Sequence, residues 1–203
     1  MSYLTVEDSF QFFPKLPSGN LLEFGVFSGN CLNRLINGAE AAGFPFVNVY
    51  GFDSFVGLPK ETPGVYQNPE WPEAAFSLCN DYKLNSIDEA MDFVRGRVDR
   101  KDITLVPGFF DKSLDETWGN LLRNSASYIH IDVDIHRSSV EVLDFVFTYE
   151  IPKIGCLIRY DDWCSTPEYR GGNSLAHIDA ERKYKVKFNR VATNIFQYLG
   201  QCV

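Results

Sequence analysis

The chain has 203 residues, 45% of them hydrophobic, and a formal net charge of −8 at pH 7; one domain with a sizeable core is the expectation. That acidity, without any basic run, excludes a surface that tracks phosphate backbones, so no nucleic-acid partner is expected. Five cysteines without a C-x-x-C pair, no signal-peptide pattern and no membrane-length apolar run point to a cytoplasmic protein with reduced thiols and no membrane partner.

The first 20 residues precede any strand and read as an arm or lid segment of the single domain 1–203. Leu21–Val26 is an apolar strand, and Asn30–Gly43 a helix with Leu32, Leu35, Ile36 and Ala39 on one face. Val47–Phe52 is the second strand. Residues 54–83, rich in Pro, Gly and aromatics, form a long irregular stretch of the kind that serves a site. Ser86 and Glu89 make a capping box that opens a helix. Ile103–Val106 is a third strand, Ser113–Leu122 a short helix and Tyr128–Val133 a fourth strand. Ser138 and Glu141 read as a second capping box, opening a helix to about Tyr149. Gly155–Tyr160, a helix over Ser174–Tyr184, and strands Lys185–Ala192 and Ile195–Leu199 about a Thr193-Asn194 turn complete the chain. The alternation implies an α/β, three-layer, Rossmann-like sheet, mostly parallel, with a C-terminal antiparallel hairpin.

Ligands of such sheets bind beyond the carboxyl ends of the strands. The first strand runs into Gly25-Val26-Phe27-Ser28-Gly29, a turn that aims backbone N–H groups and a helix N-terminus at a ligand. Its G-x-x-x-G spacing lacks the third glycine of the dinucleotide fingerprint, which disfavours a nicotinamide-dependent oxidoreductase. Glu23, inside the strand, either caps neighbouring N–H groups or orients a ligand amine. Asp53 ends the second strand; a carboxylate there suits two ribose hydroxyls, and equally an Asx turn or helix cap. Asp132 and Asp134 end the fourth strand, and Asp161 and Asp162 the fifth. So many carboxylates at one rim repel unless a cation intervenes, and an all-oxygen set suits Mg²⁺ or another hard divalent ion. Some of them could instead cap helices or pair with Arg137, Arg159 or Arg170. His130 reads as a satisfied core residue and His177 as structural, while His136, next to the acidic rim, is a candidate general base.

LEFGVFSGN (22–30), YGFDSFVGLP (50–59), VPGFFDKSL (106–114), IHIDVDIHRSS (129–139) and RYDDW (159–163) together resemble class I S-adenosylmethionine-dependent methyltransferases, more narrowly the macrocin O-methyltransferase (TylF-like) family. The resemblance implies a seven-stranded sheet. It implies that Glu23, Gly25, Phe27 and Ser28 surround the methionine part of S-adenosylmethionine, with Asp53, Ser54 and Phe55 at its ribose. Phe109, Phe110 and Asp111 fall at the family's adenine contacts, Asp132 at cofactor and metal, and Asp161 and Asp162 at the metal. Asp134 or His136 would take the proton in a Mg²⁺-dependent O-methyl transfer to a small-molecule hydroxyl, of a sugar or natural product. Where the family usually carries tyrosine, this chain has His136. The short N-terminal segment is compatible with a homodimer whose partner completes the site. The rival readings are the oxidoreductase and a non-catalytic cofactor-binding or assembly protein of the same fold.

Overall fold

A computed structural model describes residues 1–12, 16–65, 68–98, 100, 102–164 and 172–202. Its strands are β1 (Asn20–Phe24), β2 (Val49–Asp53), β3 (Ile103–Pro107), β4 (Ala126–Ile131), β5 (Pro152–Tyr160), β6 (Val186–Ala192) and β7 (Ile195–Gln201). They form one sheet of order β3-β2-β1-β4-β5-β7-β6, in which β7 pairs antiparallel with both β5 and β6 and the other pairs are parallel. The chain winds outward from β1 to β3, then returns to the middle and winds the other way from β4. A crevice therefore opens between the carboxyl ends of β1 and β4, the topological switch point of the sheet.

The central strands are apolar at successive positions because helices cover both faces. Leu22, Phe24, Tyr50, Phe52, Ile129, Ile131 and Ile158 face one core, against α5 (Phe110–Ser113), α6 (Glu116–Leu122), α7 (His136–Thr148) and α8 (Gly172–Tyr184). Leu21, Val49, Ile103, Leu105, Tyr128 and Leu157 face the other, against α1 (Val6–Phe12), α2 (Asn30–Ala41), α3 (Leu78–Asp81) and α4 (Ile87–Val98). No helix among the described residues is long and apolar enough to cross a membrane.

Several boundaries differ from the sequence reading. β1 ends at Phe24 because Gly25, at φ 87°, turns the chain out of the sheet. The expected helix 113–122 is split into α5 and α6, since Asp115 stops the first and caps the second by accepting from the Trp118 N–H at 3.1 Å. Half of the Ser86 capping box forms: Ser86 Oγ accepts from Glu89 N, while the Glu89 carboxylate reaches one residue further back, to Asn85 N. The second box does not form. α7 starts two residues before Ser138, which is buried inside the helix, and Glu141 pairs with Arg137 at 2.8 Å instead. Within the N-terminal segment, α1 docks on α2. Val6 and Phe10 are in the core, Tyr128 donates to Ser9 Oγ at 3.0 Å, and Arg34 pairs with Glu7.

His177 on α8 lies in a ring of Tyr160, Trp163, Phe188 and Phe196, with Nδ1 2.8 Å from the Tyr160 hydroxyl. Burial first, and the Arg190 charge second, push its pKa down to about 3. The Glu181 carboxylate 4.0 Å away does not offset them. The unfolded chain takes up this proton at about pH 6.5, the folded chain only near 3, so stability carried by neutral His177 is lost as pH falls below about 6.5. The stability difference between the wild type and His177→Asn is expected to be flat above pH 7 and to fall below it by up to about 1.4 kcal/mol per pH unit. Chemical denaturation across pH 4–8 reads it, and a difference that stays flat to pH 4 would contradict it.

Candidate active site at the switch point

The turn after β1 is built on Asp53. Its Oδ2 accepts the N–H groups of Val26 at 2.7 Å and Phe27 at 2.8 Å, and its Oδ1 that of Phe55 at 2.6 Å. One carboxylate thus braces the end of β1 against the end of β2. Phe27 takes φ 47° and Gly29 φ 80°, and α2 starts at Asn30 with no side-chain cap, leaving its first-turn N–H groups to face the opening.

The opening is a cavity of about 490 Å³. The turn 25–28 and Asp53–Ser54 form one side; Leu58, Pro59, Trp71, Phe76 and Tyr82 roof it; Gly108–Phe110 close one end; Asp132, Asp134, Asp161 and Asp162 form the far wall. Phe27 meets Phe76 and Tyr82 edge to face, each at 6.2 Å between centroids, so the mouth is aromatic.

The four acids separate into two arrangements. Asp132, Asp134 and Asp162 each offer an oxygen within 4.8 Å of the others. Burial and the Asp162 charge push Asp134 up to about 8. Burial and Asp161 push Asp162 up to about 6, and burial, then Asp161 and Glu23, push Asp132 well above the carboxylate range. Asp162 Oδ2 is buried with no hydrogen-bond partner among the described residues. Mutually destabilised carboxylates and an orphaned oxygen fit a hard divalent cation, whose charge would relieve both. Asp161 falls in a second group with Asp132 and His130, and its Oδ1 accepts from Arg159 Nη1 at 2.9 Å.

Beneath the cavity lies a buried polar row. Glu23, His130 and Arg159 occupy the same register on β1, β4 and β5. Arg159 donates through Nη1 to His130 Nε2 and through Nε to the Leu4 carbonyl at 3.1 Å. A guanidinium only donates, so His130 Nε2 accepts and Nδ1 carries the proton given to Glu23 Oε1 at 2.9 Å. Burial, then the Arg159 charge, holds His130 well below its ordinary pKa, in keeping with a neutral ring.

The model of the macrocin-O-methyltransferase (TylF) family matches residues 14–189. The chain belongs to that family. Among solved structures, the O-methyltransferase NovP superposes with a TM-score of 0.62 at 18% identity, over 97% of this chain and 78% of that one. CalS11, a calicheamicin methyltransferase, gives 0.65 at 17% over 94% and 76%. An O-methyltransferase from Bacillus cereus in complex with SAH gives 0.55 at 12% over 96% and 80%. No curated protein matches this sequence.

Most of the residues that the TylF-like motifs single out meet at the cavity: Gly25, Phe27, Ser28, Asp53, Ser54, Phe109, Phe110, Asp132, Asp134, Asp161 and Asp162 line it. Four are not on its wall. Glu23 is fully buried, with Oε1 on His130 and Oε2 meeting no partner among the described residues. Phe55 is a core side chain. Asp111 points to Arg137 and Lys112, at 3.7 and 3.6 Å. His136 opens α7, off the cavity wall, with its ring nitrogens meeting no partner among the described residues. Asp134 groups with Asp132 and Asp162, and Asp161 with Asp132 and His130, where Arg159 also holds it. Arg170 lies outside the described residues. Sequence reasoning missed Cys31, Trp71 and Tyr82 on the wall, and Glu61, buried at the start of α7. The long aromatic stretch was the available signal for Trp71 and Tyr82; no local pattern marked Glu61.

Proposed function

We propose that this TylF-family chain transfers the methyl group of S-adenosylmethionine to a hydroxyl of a small acceptor, a sugar or natural product, with a hard divalent cation such as Mg²⁺ at Asp132, Asp134 and Asp162. The observation that carries the reading is the meeting of those three carboxylates across the crevice from the turn 25–29. The turn and the α2 N-terminus take the carboxylate end of the cofactor, with Gly25, Phe27 and Ser28 as its walls. Asp53 Oδ1 accepts one N–H and keeps a lone pair for a ribose hydroxyl. Phe109 and Phe110 flank the adenine. When bound, the cofactor supplies a methyl group on a sulfonium, and the cation lowers the pKa of an adjacent hydroxyl. The chain's own contribution is orientation: Arg159 fixes Asp161 at the wall, and the aromatic mouth excludes water around the acceptor. NovP is by its name an O-methyltransferase and CalS11 a calicheamicin methyltransferase, which favours an oxygen acceptor on a natural product here.

Isothermal calorimetry with S-adenosylhomocysteine, with and without Mg²⁺, tests this. One molecule per chain is expected to bind. Absence of binding under both conditions would sink the reading and return the nicotinamide and assembly alternatives.

A further inference from the structure

We infer that Glu61 is a positioning residue, latching the roof of the cavity to the helix that follows Asp132 and Asp134. Its carboxylate is buried, and both oxygens serve α7: Oε2 accepts from His136 N at 2.8 Å and Oε1 from Arg137 N at 3.0 Å. The residue in the N-cap position, Ile135, has no side chain able to do this. The helix therefore takes its cap from a loop 75 residues away in sequence. The attachment is reciprocal, since Arg137 Nη1 donates to the Lys60 carbonyl at 3.3 Å.

What hangs on this latch is the roof. Leu58 N donates to the Ala75 carbonyl and Ala74 N to the Leu58 carbonyl, both at 2.9 Å, so the arm 54–61 carries the arm 71–76 with it. Leu58, Pro59, Trp71 and Phe76 all line the cavity. At the other end of the latch, α7 begins two residues after Asp134, which is held at φ 59°. Glu61 therefore sets the distance between the aromatic mouth and the acids. Its effect on ligand retention rests on the cavity being the cofactor and acceptor site proposed above; its effect on the roof does not.

The test is hydrogen exchange by mass spectrometry on the full chain, with calorimetric binding of S-adenosylhomocysteine in parallel. In Glu61→Ala, amides of segments 55–62 and 71–77 and the first turn of α7 are expected to exchange about tenfold faster, the shift that loss of one helix cap gives a local opening equilibrium. The β4 segment 126–131 keeps its wild-type rate, and S-adenosylhomocysteine binds about tenfold more weakly. Glu61→Gln keeps one accepting oxygen and falls between, and it serves as the readout where the alanine variant is poorly folded. Roof segments that exchange at the wild-type rate, or that speed up only together with β4, would overturn the inference, as would unchanged affinity with a loosened roof. A wild-type chain that binds no S-adenosylhomocysteine would instead overturn the methyltransferase site, leaving the exchange data to decide the latch.

Discussion

Asp162→Asn is expected to cut metal-dependent turnover by about 1,000-fold, the loss of several kcal/mol of charge stabilisation, while raising the melting temperature in metal-free buffer. Both signs come from one geometry. Asp162 contributes an oxygen to the three-carboxylate set, and its Oδ2 is buried without a partner among the described residues. Without a cation these charges oppose one another and burial, so removing one relieves the fold. With a cation, the same removal deletes a ligand. Mg²⁺ should therefore raise the melting temperature of the wild type and leave Asp162→Asn unmoved. Asp161→Asn makes the contrast: its side chain is held by Arg159, so the stabilisation by Mg²⁺ should persist in it. Thermal melts with and without Mg²⁺, on both variants, check this before any acceptor is known. Equal Mg²⁺ stabilisation of wild type and Asp162→Asn would remove Asp162 from the cation site.

The largest loss of stability is expected at Gly25→Ala, more than about 4 kcal/mol, enough to leave little folded protein. An added Cβ would stand 1.7 Å from the Asp132 carbonyl oxygen, on backbone that cannot swing away. Asp132 N already donates to the Phe24 carbonyl at 2.8 Å, and Gly25 N to that of Phe52 at 2.9 Å, so β1 is clamped between its neighbours where the clash falls. Positive φ adds to it. Gly43→Ala separates the two causes: its φ is 67°, yet nothing lies within 4 Å of the new methyl. It should cost only the left-handed strain, about 1–2 kcal/mol. Comparable denaturation midpoints for the two variants would show that close approach to β4 is not what Gly25 provides.

The sheet was legible because its strands are short apolar runs between amphipathic helices, and periodicity reports burial directly. The strand-end acids were legible for the same reason, since a strand that is apolar throughout and then ends in Asp has few roles for that Asp. What escaped was set by distant partners. Ser138 and Glu141 have the spacing of a capping box, but the first N–H groups of α7 were already taken by Glu61. Asp134, Asp161 and Asp162 are indistinguishable in sequence; strand register, which sets Arg159 beside His130, decides that Asp161 groups with His130 and Asp132 while Asp134 and Asp162 group with Asp132. His130 was read correctly as satisfied, but its partners, Glu23 and Arg159, lie 107 and 29 residues away along the chain and meet it only through sheet pairing.

The strand order has a kinetic consequence. Gly25, Asp53, Gly108, Asp132 and Asp161 reach the crevice from the ends of five strands, and the pairing that closes it joins β1 to β4 across more than 100 residues of chain. No fragment shorter than the β1–β5 core holds a complete pocket. During synthesis the pocket becomes available only after the chain has emerged past Asp162. Ligand binding is therefore coupled to unfolding of the sheet as well as to opening of the roof, so a bound cofactor would slow proteolytic turnover of the entire chain.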